Sequence, residues 1–323
     1  MAEPPRGYDA RPMKSPRKAK PRNANPRNAK PTKAKPTKAK EVLTDAVATL
    51  EASTAIDHWQ RDREEIEADE LLAYALGVDR VGPNDEVPPN VRRRFDRMIA
   101  RRASGEPVQL ITGQAFFRGL QIAARRGVFV PRDSTEYLAE QAVRRLRGRR
   151  RPVAVDLATG GGTVALAIAN EVPGVRVFGT DISLTAVRVA RENAELLRLR
   201  ATFAKGDLFG GLPSDLRGRV DVITLHPPYV ARDEVRELPE EIRRFEPEHT
   251  LTDRSRDGLG LVGRTASEGP RWLKPGGWLL VEVSPDRARS AASVLRRNGF
   301  EDVRSTMDRG FRVTRVLVGR WHG

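Results

Sequence analysis

A chain of 323 residues, 39% hydrophobic and 31% charged, has the length and apolar content for a sizeable core and two domains. It has no cysteine, which excludes a disulfide framework, thiolate metal ligands and a Cys nucleophile; no apolar run approaches the ~18 residues of a bilayer span. The net charge of +15 is uneven: residues 1–40 carry 13 Lys+Arg against 2 Asp+Glu, leaving 45 bases and 41 acids for the rest, too even a balance for a dedicated nucleic-acid binder.

The basic stretch repeats with a period of five, its pentads opening at Pro16, Pro21, Pro26, Pro31 and Pro36 with Ala in each fourth place. Proline at every fifth residue defeats a helix, and the scarcity of large apolar groups defeats a core, so residues 1–40 are expected to be a disordered tail. Two roles stay open for it: salt-sensitive attraction to RNA or the ribosome, or a solvated extension with no fixed partner. The N-terminus lacks the apolar core of a secretory signal, so a cytoplasmic protein with no membrane partner is expected.

From about Glu41 helical patterns begin. Ile66, Leu71, Leu72, Ala75 and Leu76 recur near helical spacing before Gly77, a stop signal. Glu86 to Arg102, entered after Pro88-Pro89, reads as another helix with Val91, Phe95, Met98 and Ile99 on one face. Residues 41–104 are thus read as a small helical domain for recognising a substrate. Val108–Gly113 and Gly119–Ala123 are expected to form a β-hairpin within a linking segment, 105–130.

The remainder, 131–323, alternates. After a helix at 137–146, strand-like runs fall at 153–157, 175–180, 201–206, 220–225 and 278–283, with helices such as 163–170 and 184–197 between the first ones. Lys274-Pro275-Gly276-Gly277 reads as a turn before Trp278, and 300–306 with 311–320 as an antiparallel edge pair. Trp272, Trp278 and Trp321 are expected to fill or cover the sheet. Such alternation gives an α/β fold, a mostly parallel sheet wrapped on both faces. The arrangement resembles the seven-stranded, Rossmann-like sheet of class I methyltransferases.

Two strand ends carry the chemistry. The first run ends in Asp156-Leu157-Ala158-Thr159-Gly160-Gly161-Gly162, a glycine-rich turn whose amides make a polar cradle. Asp181-Ile182 follows the second strand, about where a carboxylate meets ribose hydroxyls in a dinucleotide fold. Gly160, Gly162 and Ala165 also satisfy the G-x-G-x-x-A spelling of a nicotinamide site, which keeps an oxidoreductase in view. Asp156 opposes a pyrophosphate but suits the ammonium and sulfonium of S-adenosyl-L-methionine. Asp207, after the third strand, is placed to bond an adenine amine while Leu208 packs on the ring. The fourth run ends at His226-Pro227-Pro228-Tyr229, where two prolines turn the backbone out of the ladder and leave carbonyls that can hold a substrate N–H. His58 and His249 lack partners at metal-ligand spacing and His322 is nearly terminal, so no metal centre is expected.

From about Asp69 onward the chain resembles the release-factor glutamine methyltransferases. The resemblance rests on Asp69-Glu70-Leu71-Leu72, Gly105-Glu106-Pro107-Val108, Val130-Pro131-Arg132 with Thr135-Glu136, the cofactor turn and Gly206-Asp207-Leu208-Phe209. It continues through Pro227-Pro228-Tyr229, Glu246-Pro247-Glu248, Asp257-Gly258-Leu259 and Leu273-Lys274-Pro275-Gly276-Gly277. It implies methyl transfer from S-adenosyl-L-methionine to the amide of a glutamine in a release factor or ribosomal protein. In that family an Asn before Pro-Pro-Tyr accepts one amide N–H, the first proline carbonyl accepts the other, and the tyrosine walls the pocket. This chain departs from the pattern: His226 replaces the usual Asn, Ala158 a Gly, and Asp133-Ser134 a Pro-Glu. Ala158 is a small change if its φ is negative. A neutral imidazole offers one acceptor and one donor, so His226 can imitate Asn; protonated, it has donors only. Two other functions stay open: methylation of an adenine exocyclic amine, and a cofactor-binding pseudoenzyme acting as an interaction factor.

Overall fold

The computed structural model describes residues 35–56, 62–308 and 313–323. Residues Pro36–Gly323 form one compact unit. Its first elements are β1 (Thr37–Lys38), α1 (Ala39–Glu51), α2 (Glu64–Leu76), β2 (Glu86–Val87) and α3 (Pro89–Ala103). The three helices bury Val42, Leu50, Leu71, Leu72, Phe95 and Ile99 against one another, a core separate from the sheet's. Gly77 closes α2 in the left-handed region, as its stop signal predicts. Ile66, expected on the apolar face, is 61% exposed.

The boundaries of the tail and of the second predicted helix need correction. Thr37–Lys38 pair antiparallel with Glu86–Val87, and α1 opens at Ala39, so ordered structure begins inside the stretch expected to be disordered. The rest of that expectation lies outside the described residues. The same pairing takes Glu86–Val87 out of the predicted helix, which starts at Pro89, where the fixed φ of proline suits a first helical position.

The link is also rearranged. Val108–Thr112 is a single helical turn, α4, rather than a strand; Pro107 precedes it and Gly113, at φ 74°, ends it. The hairpin is made instead by β3 (Gln114–Phe117) and β4 (Leu120–Ala123). Apolar runs of four or five residues suit either period, and the flanking Pro and Gly decide here for a helix.

The sheet-bearing part runs α5 (Glu136–Leu146), β5 (Val153–Leu157), α6 (Thr163–Glu171), β6 (Arg176–Asp181), α7 (Leu184–Leu197), β7 (Ala201–Lys205) and β8 (Val220–Leu225). It continues through α8 (Glu240–Phe245), α9 (Gly260–Glu268), β9 (Leu273–Glu282), α10 (Ala288–Arg297), β10 (Glu301–Asp308) and β11 (Val313–Trp321). Seven strands lie in the order β10-β11-β9-β8-β5-β6-β7, with β11 antiparallel to both neighbours and the others parallel. β5 and β8 are buried at every residue, as a sheet covered on both faces requires. Lys274–Gly277, expected as a turn before the strand, lies within β9 at a register irregularity against β8. Trp272 is buried, stacked on Phe209, and Trp278 and Trp321 pack half-buried against the two cores.

Candidate active site

The parallel register sets the strand ends level. Asp156 on β5 lies opposite Gly179 on β6 and Thr224 on β8, while Asp181 closes β6 opposite Lys205. From β5 the chain first adds β6 and β7 on one side and then returns to add β8 on the other. The loops leaving β5 and β8 therefore diverge and open a crevice at the carboxyl edge. A cavity of about 340 Å3 fills it, lined by Asp156, Ala158, Thr159, Gly160, Gly161, Asp181, Ile182, Asp207, Leu208, His226, Pro227 and Pro228. Two other expected residues support this wall from behind. Gly162, at φ 82°, caps α6, and a Cβ there would meet the Phe203 ring at 3.0 Å, so it lets the turn pack on β7. Tyr229 stacks on His226, ring centroids 6.0 Å apart, and bridges to Thr252.

Hydrogen bonds stiffen the glycine turn. The Gly160 amide donates to Asp181 Oδ2 at 2.9 Å and the Ser183 amide to Oδ1 at 2.8 Å. Burial pushes the Asp181 carboxyl above the usual range, and these two amides pull it partly back. Asp156 is 3% exposed and accepts the hydroxyls of Thr159 at 2.6 Å and Thr224 at 2.7 Å. Burial outweighs both bonds and raises it to about 6. Asp207, half exposed, pairs through Oδ2 with Arg264 on α9 at 2.9 Å. Ala158 sits at φ 51°, so the negative φ that would make it a mild replacement for glycine is not what the backbone adopts.

At the other end of the cavity β8 runs into His226-Pro227-Pro228-Tyr229. Among the described residues no donor reaches the Pro227 carbonyl. The His226 ring meets the edge of Phe129, centroids 5.3 Å apart, and Arg132 covers Phe129 while pairing with the buried Glu246. His226 Nδ1 lies 3.4 Å from the Thr135 hydroxyl and 3.8 Å from Glu282 Oε2. Burial raises both the Glu246 carboxyl and the Tyr229 phenol, the latter with help from the charge of Glu282.

Sequence reasoning assigned no place in the site to four participants. Phe129 and Thr135 enter from the segment before α5, Arg264 from α9, and His249, set aside for lack of metal partners, lines the cavity. Arg264 stands 57 residues from Asp207, and no local pattern signals such a pair.

The sheet order and a cavity lined by three acids at successive strand ends define a methyltransferase of the class I fold. Comparison with known proteins carries this further. A family model described as the PrmC N-terminal domain matches residues 41–113, and one described as the methyltransferase small domain matches 119–242. A release factor glutamine methyltransferase of Rhodopirellula baltica is 36% identical over 72% of this chain and 81% of its own length. One of Streptomyces coelicolor is 39% identical over 67% of this chain and 76% of its own. Among solved structures, a release factor-specific protein-(glutamine-N5) methyltransferase from Alicyclobacillus acidocaldarius is 26% identical over 60% of this chain and 95% of its own, with a TM-score of 0.37. The chain belongs to the release factor glutamine methyltransferase family.

Proposed function

We propose that this chain methylates the side-chain amide nitrogen of a glutamine in a release factor, with S-adenosyl-L-methionine as donor, in the cytoplasm. The observation that carries the reading is one cavity joining the Asp156–Gly161 turn to His226-Pro227-Pro228. The residues fit the donor. Asp156 is a buried carboxyl held by two hydroxyls and the Ala165 backbone, with no cation among its hydrogen-bond partners, and a ligand ammonium relieves the cost of its ionisation. Asp181 faces the cavity as an acceptor for ribose hydroxyls. Asp207, whose Oδ2 pairs with Arg264, would accept from the adenine amine through Oδ1, and Leu208 and Ile182 would supply apolar contact to the ring. When bound, the cofactor supplies an electrophilic methyl on a sulfonium sulfur.

The chain's own residues supply position. An amide nitrogen is a weak nucleophile because its lone pair is shared with the carbonyl. The Pro227 carbonyl takes one N–H and His226 the other, which turns the lone pair toward the methyl, while the Tyr229 ring backs His226. Orientation of this kind is worth orders of magnitude in rate. Methylation of a ribosomal protein and contact of the basic tail with RNA are further proposals, supported only by chemistry and charge.

The test is transfer of labelled methyl from S-adenosyl-L-methionine to a purified release factor, followed by mapping of the modified residue. One label on a glutamine amide supports the reading. Label that is lost on nuclease treatment of a lysate, with none on the release factor, would overturn it in favour of an adenine amine.

A further inference from the structure

We infer that Glu282 is a positioning residue that fixes the tautomer of His226; the inference rests on the amide-methylation reading and deepens it. Neutral imidazole exists in two forms, and only the one with a bare Nε2 can accept a substrate N–H through that atom. Nδ1 is the nitrogen turned toward protein, with the Thr135 hydroxyl at 3.4 Å and Glu282 Oε2 at 3.8 Å. Among the described residues Nε2 has no partner, and His226 lines the cavity. The two neighbours of Nδ1 differ in kind. A threonine hydroxyl donates or accepts and so leaves the tautomer open, whereas a carboxylate only accepts and selects Nδ1–H.

Glu282 has reason to seek that proton. It is 3% exposed at the end of β9, and its Oε2 accepts no hydrogen bond among the described residues. Its other oxygen already has company, Ser134 Oγ at 3.5 Å and Arg315 at 4.0 Å, so Oε2 is the oxygen left for His226. A buried acceptor without a donor is costly. The 3.8 Å separation closes by a small rotation of either side chain, and such bonds commonly tighten only when substrate is in place. Thr135 then accepts or turns away, and Phe129 and Tyr229 hold the ring edge-on and stacked.

The test joins a spectrum to a mutant cycle on the full chain. The chain holds four histidines, so 15N-histidine spectra of wild type and His226→Asn assign the His226 signals by difference. The expected pattern is protonated Nδ1 and bare Nε2 in wild type, and a swing toward protonated Nε2 in Glu282→Gln. Wild type showing Nε2–H, or a tautomer unmoved by Glu282→Gln in a folded protein, would overturn the inference. In activity, Glu282→Gln is expected to lower kcat at least tenfold with little change in KM for the cofactor. In the His226→Asn background the same change should cost less than twofold, because an amide oxygen needs no tautomer set. Equal losses in both backgrounds mean that Glu282 is merely structural. Absence of activity in wild type is a different failure, that of the amide-methylation reading, and leaves the spectral test standing.

Discussion

Ala158 holds a φ of 51°, a region where a Cβ crowds the following carbonyl at a cost of roughly 1–2 kcal/mol. Replacing it with glycine removes that strain but adds backbone freedom to the unfolded chain. Ala158→Gly is therefore expected to stabilise by about 0.5–1 kcal/mol, read from the denaturant midpoint at unchanged slope. Asp156 gives a prediction of two signs. Its carboxyl is raised to about 6 by burial, so between the ordinary aspartate range and 6 the native state holds a proton that the unfolded chain has lost. The contribution of Asp156 to ligand-free stability is hence unfavourable above pH 6 and improves as pH falls through 6 toward 4. Asp156→Asn should raise the melting temperature of the ligand-free protein at pH 8. It should also weaken cofactor binding at least tenfold by calorimetry, and wild-type affinity should itself decline below pH 6. A variant both less stable at pH 8 and unchanged in affinity contradicts the assignment.

Whole elements were legible where the period was long and illegible where it was short. α7 spans Leu184–Leu197 as its spacing predicts, and the buried β5 and β8 announce themselves as runs that are apolar at every position but Asp156 in β5 and Asp221 and Thr224 in β8. Val108–Thr112 carries too few residues to separate helix from strand, and its identity as α4 follows from its flanks. The cofactor turn and Pro-Pro-Tyr were visible because special backbone leaves glycine and proline in the sequence. Arg264 and the approach of Glu282 to His226 were not, and Thr135 stood out only as part of a family motif, since ordinary residues from separate elements meet there only in the folded chain. Gly258 lies between these cases. Its φ is 68°, and a Cβ there would fall 2.0 Å from the Tyr229 carbonyl oxygen. Gly258→Ala must push the Pro-Pro-Tyr segment away from its strand end. A displacement near 1 Å at a positioning site costs on the order of 10²-fold in rate. Single-turnover kinetics should show that loss with cofactor affinity retained, because the Asp156 turn lies on the other side of the cavity.

Across the whole molecule the helical part and the catalytic loop meet at one buried cation. Arg102 is 1% exposed; it reaches Glu67 on α2 at 2.6 Å and Glu241 on α8 at 3.5 Å. In the sequence it is one arginine among six in α3, indistinguishable from those on a solvated face. Its consequence extends beyond stability. α8 leads directly to Glu246, which pairs with Arg132, whose guanidinium covers the Phe129 ring that meets His226 edge-on. Removing the cation leaves two carboxyls buried together, and burial already pushes Glu241 above its usual range with Arg102 as the main opposing influence. Arg102→Ala should thus destabilise by about 3–5 kcal/mol. Replacing Arg102, Glu67 and Glu241 together with apolar residues of similar volume should recover most of that loss, since no charge is then stranded. If the triad also sets the substrate end, the apolar variant should bind cofactor normally yet show a raised KM for the release factor. Urea unfolding and steady-state kinetics on the same preparations separate the two effects. Full stability with an unchanged KM would confine the triad to packing.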